Sequence, residues 1–171
     1  MNKAEEQRLE EYLIKSNIDL SKKEEIINNI KLFLSKCVEN EGKRFYTAGR
    51  SESGTDCAGL PILKLCEMGF DIGDLDVKNY SKNPDGNMLV SHLNNRLERI
   101  NKSDKLPGDI LLMSFNNVAT HIAVFLGDYY NNKEDYIIHA YFPLRKTVVH
   151  RLDNEFDKAT NIAYRLHYLY N

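Results

Sequence analysis

The sequence has few cysteines, little net charge and no long apolar run. Its three cysteines, Cys37, Cys57 and Cys66, are too few and odd in number for a disulfide framework. The 23 basic and 25 acidic side chains leave a formal net charge of −2, so nucleic acid and anionic lipid are not expected partners. No apolar run approaches the roughly 20 residues that cross a bilayer. Neither C-x-x-C nor H-E-x-x-H spacing occurs, so no zinc site is expected.

The N-terminal residues and the chain length indicate one soluble domain without a secretory signal. The charged stretch from Met1 to Arg8 lacks the apolar region of such a signal. We therefore expect a protein made in the cytoplasm that reaches any external site by another route. With 171 residues, 42% of them hydrophobic, the chain fits one domain with a short appendage. We divide it into a helical segment, residues 1–40, and one compact domain, residues 41–171.

Helical patterns fill the first part of the sequence and strand patterns the second. Residues 4–15 read as a short charged helix, and Ser21 with Glu24 predicts a capping box at the start of a second helix. Two further helices are predicted over 57–68 and 88–100, followed by short strands over 109–115, 121–126, 136–141, 146–151 and 161–166. This order is typical of an α+β fold. We predict an antiparallel sheet of about five strands with the 57–68 helix packed on it.

Cys57 stands at the predicted start of the third helix. Thr55 or Asp56 would cap that helix, and Pro61 is tolerated only in its first turn. Unpaired N–H groups and the helix dipole converge there, which predicts a lowered thiol pKa and an oxyanion-binding site. Gly59 would leave room for a substrate backbone. A structural cysteine at a helix end is the alternative.

Two histidines occupy neighbouring predicted strands among aliphatic side chains. His121 begins a strand that is apolar on both faces, and His139 shares one strand face with Ile137 and Tyr141. A single buried histidine is more often a core residue than a catalyst. If the two strands pair antiparallel, however, the two rings can meet. One imidazole could then accept the thiol proton, and the other could hold the first imidazole in its working tautomer.

The remaining histidines and cysteines are predicted to lie outside this site. His92 is expected on a helix surface, His150 at an exposed strand end and His167 in an aromatic group near the C-terminus. Cys66 is expected on a buried helix face, and Cys37 completes an apolar helical stripe.

The order of these motifs resembles that of the NlpC-type cysteine peptidases of bacterial cell walls. The similarity is closest to the branch found with phage tail-assembly proteins, and it runs from about Glu41 to Leu166. The motifs that carry it lie at 42–50, 54–60, Tyr80 with 83–86, 106–112, 120–127 and 138–140. The segment Asp56-Cys57-Ala58-Gly59-Leu60 resembles the family's nucleophile motif, and Ile138-His139-Ala140 resembles its second histidine strand.

This resemblance implies a papain-like fold and a set of residue roles. Cys57 would be the nucleophile, His121 the general base and His139 the residue that orients it. Asp56, Ala58 and Gly59 would support the site, and the backbone N–H of Cys57 would contribute to the oxyanion hole. The family cuts peptidoglycan stem peptides, usually between γ-D-glutamate and diaminopimelate, and needs no metal; no other cofactor is expected.

The sequence also departs from the family pattern. Ala58 replaces a common serine, and Phe45, with Tyr46 beside it, falls where many members place a substrate-binding tyrosine. The branch implies phage tail proteins as partners and a route to the cell wall through a virion or another export path. An inactive structural tail component is one alternative. Another thiol amidase or acyltransferase is a second, disfavoured because Cys57 precedes both histidines and no amphipathic C-terminal segment is present.

Overall fold

The computed structural model describes residues 1–76, 87–116 and 118–170. Within these residues the helices are α1 Lys3–Lys15, α2 Lys23–Val38, α3 Gly59–Glu67, α4 Asn87–Arg96 and α5 Asn154–Ala159. The strands are β1 Arg44–Phe45, β2 Arg50–Ser51, β3 Gly54–Thr55, β4 Glu98–Ile100, β5 Ile110–Phe115, β6 Val118–Gly127, β7 Tyr136–Tyr141, β8 Lys146–Arg151 and β9 Thr160–Arg165. Tyr80 and the 83–86 motif lie outside the described residues.

One sheet organises the molecule, in the order β2-β3-β1-β8-β7-β6-β5-β9-β4. Only the pair β1–β3 is parallel among these neighbours. The α+β prediction is confirmed, and the five predicted strands correspond to β5–β9. The predicted number of strands is too small, since β1 to β4 are only two or three residues long and are too short to show a period in the sequence.

The cap before the second helix and the end of the fourth helix differ from the prediction. The capping box occurs at α1, where the Asn2 side chain accepts a hydrogen bond from the Glu5 N–H and the Glu5 carboxylate accepts one from the Asn2 N–H. The box predicted at Ser21 is wrong, because the Asp19 carboxylate accepts the Ser21 N–H and holds a short 3₁₀ turn before α2. Helix α4 ends at Arg96, since the next residues form β4 and pair with β9.

The central strands are covered on both faces. On one face, Leu112, Val124 and Ile138 belong to the same core cluster as Leu9 of α1 and Phe33 of α2. Phe156 of α5 packs against a smaller cluster on the opposite face of the sheet. This cluster consists of Leu111, Met113, Ala123, Phe125, Ile137 and Ala163. The predicted burial of β6 on both faces is therefore confirmed. None of the helices described is long and apolar enough to cross a membrane.

A buried ion pair joins the start of β5 to the end of β9. The Arg165 guanidinium donates to both oxygens of Asp109, at 3.0 and 2.8 Å, and both side chains are almost fully buried. Asp109 also accepts the Leu106 N–H at 2.6 Å. The guanidinium lies 4.0 Å from the ring centre of Tyr12, so the pair links helix α1 to the sheet.

Candidate active site

Cys57 lies in the turn directly before α3, two residues ahead of Gly59. The predicted placement of the helix start is therefore confirmed. Cys57 is partly exposed, and the backbone N–H groups of Ile122, Ala58 and Cys57 itself lie near its sulfur and act to lower the pKa of the thiol. Ile122 directly follows His121 in β6, so the thiol lies beside the middle of that strand.

Asp56 braces the loop that carries the thiol. Its Oδ1 accepts the Gly59 N–H at 2.7 Å, so its side chain caps the start of α3. Its Oδ2 accepts the Ala48 N–H at 2.6 Å, and its Oδ1 also accepts a hydrogen bond from Arg50 at 3.1 Å. Because these partners come from residues 48–50 and from the helix, the carboxylate fixes the nucleophile turn against the preceding loop.

Gly59 has a different role from the one predicted. A Cβ atom at this position would collide with the Gly49 carbonyl oxygen and approach the Arg50 guanidinium to 2.6 Å. The space is therefore filled by this chain's own loop and is not open to a substrate backbone. The Gly59 N–H is also already donated to Asp56, which leaves the N–H groups of Cys57 and Ala58 beside the sulfur.

The structure brings His121 and His139 together. Strands β6 and β7 pair antiparallel, and His121 Nε2 lies 2.8 Å from His139 Nδ1. His121 is partly exposed, whereas His139 is 1% exposed and stacks on the Tyr141 ring at a centroid distance of 4.8 Å. Because Nε2 of His121 is hydrogen-bonded to His139, Nδ1 is the other ring nitrogen of His121 that could act as a base.

The thiol is not the low-pKa group predicted from its place at a helix start. Burial and the negative charge of Asp56 raise the pKa of Cys57 to about 11, outweighing the three backbone N–H groups. Burial also lowers the pKa of His121 to about 4. At neutral pH the resting site therefore holds a neutral thiol and a neutral imidazole.

His150 is part of this site, although the sequence placed it at an exposed strand end. Its Nδ1 lies 2.9 Å from Nε2 of His139, so three imidazoles form one hydrogen-bonded line. Strand β8 pairs antiparallel with β7, with His150 opposite Ile137, which brings its ring within reach of His139. The alternation of side chains along β7 and β8 shows that His139 and His150 share one face of the sheet only once the register of the two strands is known.

The structure also places the two predicted substrate-binding residues and the histidines and cysteines predicted to lie outside the site. Phe45 makes an edge-to-face contact with Phe142 at 5.4 Å, and Tyr46 is 45% exposed. A substrate-binding role for both stays a prediction. His92 is bonded to the Leu75 carbonyl oxygen and His167 is exposed. Cys37 is buried as predicted, but Cys66 is exposed, because its position on α3 turns away from the core.

The described part of the chain holds no group of His, Cys, Asp and Glu side chains arranged to bind a metal ion. Both ring nitrogens of His139 and one each of His121 and His150 are hydrogen-bonded to a neighbouring imidazole.

Lowering the pH below about 6.5 should destabilise the protein through His139. Burial and the neighbouring histidines lower its pKa in the folded protein to about 2, so between pH 6.5 and 2 the unfolded chain binds a proton that the folded chain does not. The contribution of His139 to stability is complete above pH 6.5 and falls by about 1.4 kcal/mol for each pH unit below it. Urea unfolding at pH 7.5, 5.5 and 4.5 measures the slope.

His139→Gln is the matched variant for that measurement. It cannot gain the proton, so its free energy of unfolding should fall less steeply by about 1.4 kcal/mol per pH unit, while the carboxylates titrate equally in both proteins. Equal slopes in the two proteins would contradict the buried, neutral state of His139.

A thiol at the start of a helix, beside histidines on an antiparallel sheet, defines the papain-like class of α+β folds. The sequence profile of the NlpC/P60 family matches residues 42–163, well over half of the chain, and the chain belongs to that family. No curated protein matches it closely.

Solved structures share this fold. The chain is 21% identical to the NlpC/p60 domain of the peptidoglycan hydrolase SagA, with a TM-score of 0.54, covering 80% of this chain and 98% of that one. It is 14% identical to the peptidoglycan hydrolase RipB from Mycobacterium tuberculosis, with a TM-score of 0.58, covering 88% and 69%. RipD from the same organism, a non-catalytic NlpC/p60 protein adapted to peptidoglycan binding, gives 12% identity and a TM-score of 0.52, covering 81% and 97%.

Proposed function

We propose that this protein is a cysteine hydrolase that cleaves amide bonds in the peptide stems of peptidoglycan. The observation that carries the proposal is the 2.8 Å contact between His121 and His139, in a strand whose next residue, Ile122, has its backbone N–H near the Cys57 sulfur. This arrangement joins a nucleophile, a base and a group that orients the base, which is the set required for acyl transfer through a thioester. Membership of the NlpC/P60 family and the likeness to SagA and RipB support a cell-wall substrate.

The reaction proceeds in two halves. As the Cys57 sulfur attacks the scissile carbonyl carbon, its proton passes to Nδ1 of His121. The oxygen of the tetrahedral intermediate is stabilised by backbone N–H groups at the start of α3, those of Cys57 and Ala58 being nearest to the sulfur. His121 then gives the proton to the leaving amine, the C–N bond breaks and a thioester remains. Water, deprotonated by His121, hydrolyses the thioester and regenerates the thiol.

We further propose the γ-D-glutamyl-diaminopimelate bond as the target and a phage tail or prophage lytic apparatus as the setting. The motif order and its similarity to the phage tail-assembly branch support both. On this proposal the protein is made in the cytoplasm and reaches the wall in a virion or by another export route, with tail proteins as partners. Phe45 and Tyr46 would contact the stem peptide near Cys57.

Digestion of purified peptidoglycan tests the proposal. Walls of the diaminopimelate and lysine types are incubated with the wild type, Cys57→Ala and Cys66→Ala, and the fragments are identified by mass spectrometry. We expect cleavage by the wild type and by Cys66→Ala, whose exposed cysteine lies on the same helix, and none by Cys57→Ala. Binding of folded wild-type protein to peptidoglycan without cleavage would instead indicate a non-catalytic protein.

A further inference from the structure

His150 extends the histidine pair to a line of three rings that runs away from the thiol. His121 and His139 are joined at 2.8 Å, and His139 and His150 at 2.9 Å. His139 is 1% exposed and both of its ring nitrogens face another imidazole. The state of this central ring is therefore set by its two neighbours and not by solvent.

The chemistry of the thiol end fixes the direction of the hydrogens along this line. Between two neutral imidazoles, one nitrogen must carry the hydrogen and the other must accept it. If Nδ1 of His121 is to take the thiol proton, its Nε2 must carry the hydrogen and donate to Nδ1 of His139. His139 then carries its own hydrogen on Nε2 and needs an acceptor, which is Nδ1 of His150.

In the reverse arrangement the site would not work. If His150 donated from Nδ1, His139 would donate from Nδ1 in turn, and His121 would carry its hydrogen on Nδ1. That nitrogen could then not accept a proton from Cys57. An acceptor at position 150 therefore selects the tautomer of His139 and, through it, the tautomer of His121 that can act as a base.

The surroundings of His150 hold its ring in the accepting position. The imidazole stacks on Phe156 with a centroid distance of 5.1 Å and an interplanar angle of 25°. Phe156 is in α5, whose first turn is capped by the Asp153 carboxylate. Burial lowers the pKa of His150, and the charge of Asp153 opposes that effect by favouring the protonated form. The line thus ends at a partly exposed ring that lies close to the Asp153 carboxylate.

We propose that His150 is a positioning residue of the reaction, which acts through His139 to keep His121 in the tautomer that accepts the thiol proton. Since this role presupposes the hydrolase activity proposed above, it needs one readout in catalysis and one that is independent of catalysis. Two substitutions, His150→Phe and His150→Asn, distinguish the role of His150 as a hydrogen-bond acceptor from its role in packing against Phe156.

His150→Phe keeps an aromatic ring against Phe156 but removes the acceptor. His150→Asn places a carbonyl oxygen near the position of Nδ1, so it can accept the His139 hydrogen without stacking. We expect His150→Phe to lower kcat for stem-peptide cleavage about 10-fold to 100-fold with KM unchanged within about twofold. His150→Asn should recover most of that loss, and His167→Phe, at an exposed histidine, should match the wild type.

The independent readout is the tautomer of His139, measured by ¹⁵N NMR of the histidine side chains in the intact protein at neutral pH. The wild type and His150→Asn should show His139 with its hydrogen on Nε2, and His150→Phe should show loss of that single state. Thermal midpoints of all variants report whether they are folded.

The outcomes separate the two proposals. If the wild type does not cleave peptidoglycan, the proposed function fails, and the NMR measurement alone decides whether His150 sets the tautomer of His139. If the wild type cleaves and His150→Phe has the same kcat and the same His139 tautomer, the role of His150 is overturned. Equal losses in His150→Phe and His150→Asn would also overturn it, because an acceptor at position 150 would then not matter.

Discussion

Replacing His121 with glutamine should lower kcat for stem-peptide cleavage by about 10³-fold or more. The resting thiol has a pKa of about 11, so at neutral pH almost no thiolate exists unless a base removes the proton during attack. In the proposed reaction His121 is the base for this thiol, and burial, which lowers its pKa to about 4, keeps it unprotonated at neutral pH. Glutamine can fill the space and donate to Nδ1 of His139, but it cannot take the proton.

A double variant sharpens this prediction. Cys57→Ala already removes the nucleophile, so adding His121→Gln should cause little further loss, since residues that act as one unit are strongly non-additive. Initial rates of fragment release, measured by mass spectrometry for both single variants and the double variant, give the comparison. His167→Gln serves as the control at an exposed histidine. Independent, multiplying losses would show that His121 does not act on the Cys57 thiol.

Replacing Asp109 with alanine should destabilise the fold by about 3–5 kcal/mol. The Arg165 guanidinium would remain buried without its counter-charge, and the Leu106 N–H would lose its acceptor. The ion pair lies between β5 and β9 and contacts Tyr12 of α1, so the loss should affect the packing of that helix as well as the sheet. Urea unfolding at pH 7.5, followed by far-ultraviolet circular dichroism, measures the change.

A charge-free replacement of the pair provides the control. Asp109→Leu combined with Arg165→Met removes both charges and keeps apolar volume, so the double variant should be more stable than Asp109→Ala. Lys23→Ala and Glu10→Ala, which break an exposed ion pair, should each change the free energy of unfolding by less than about 1 kcal/mol. An Asp109→Ala protein as stable as the wild type would show that the buried charges are not essential to the fold.

Local sequence patterns predicted the elements that have a period of their own. The alternation in β7 and the unbroken apolar run in β6 indicated both strands and the antiparallel pairing that joins His121 to His139. The residues before Pro61 located the start of α3, and with it Cys57. These signals are readable because hydrogen-bonded secondary structure repeats every 2 or 3.6 residues and leaves that repeat in the side chains.

Contacts and pKa shifts that depend on residues distant in sequence were decided only by the tertiary structure. His150 joined the site because the register of β8 against β7 brings its ring to His139, and no pattern within β8 contains that register. Gly59 proved to be in contact with Gly49, and the thiol pKa is raised by burial and Asp56 where the helix start alone predicted the opposite. The sequence by itself determined the candidate nucleophile, the first two histidines and the α+β class. The third histidine, the protonation state of the thiol and the buried ion pair arise from desolvation and cross-strand contacts, which exist only once the chain is folded.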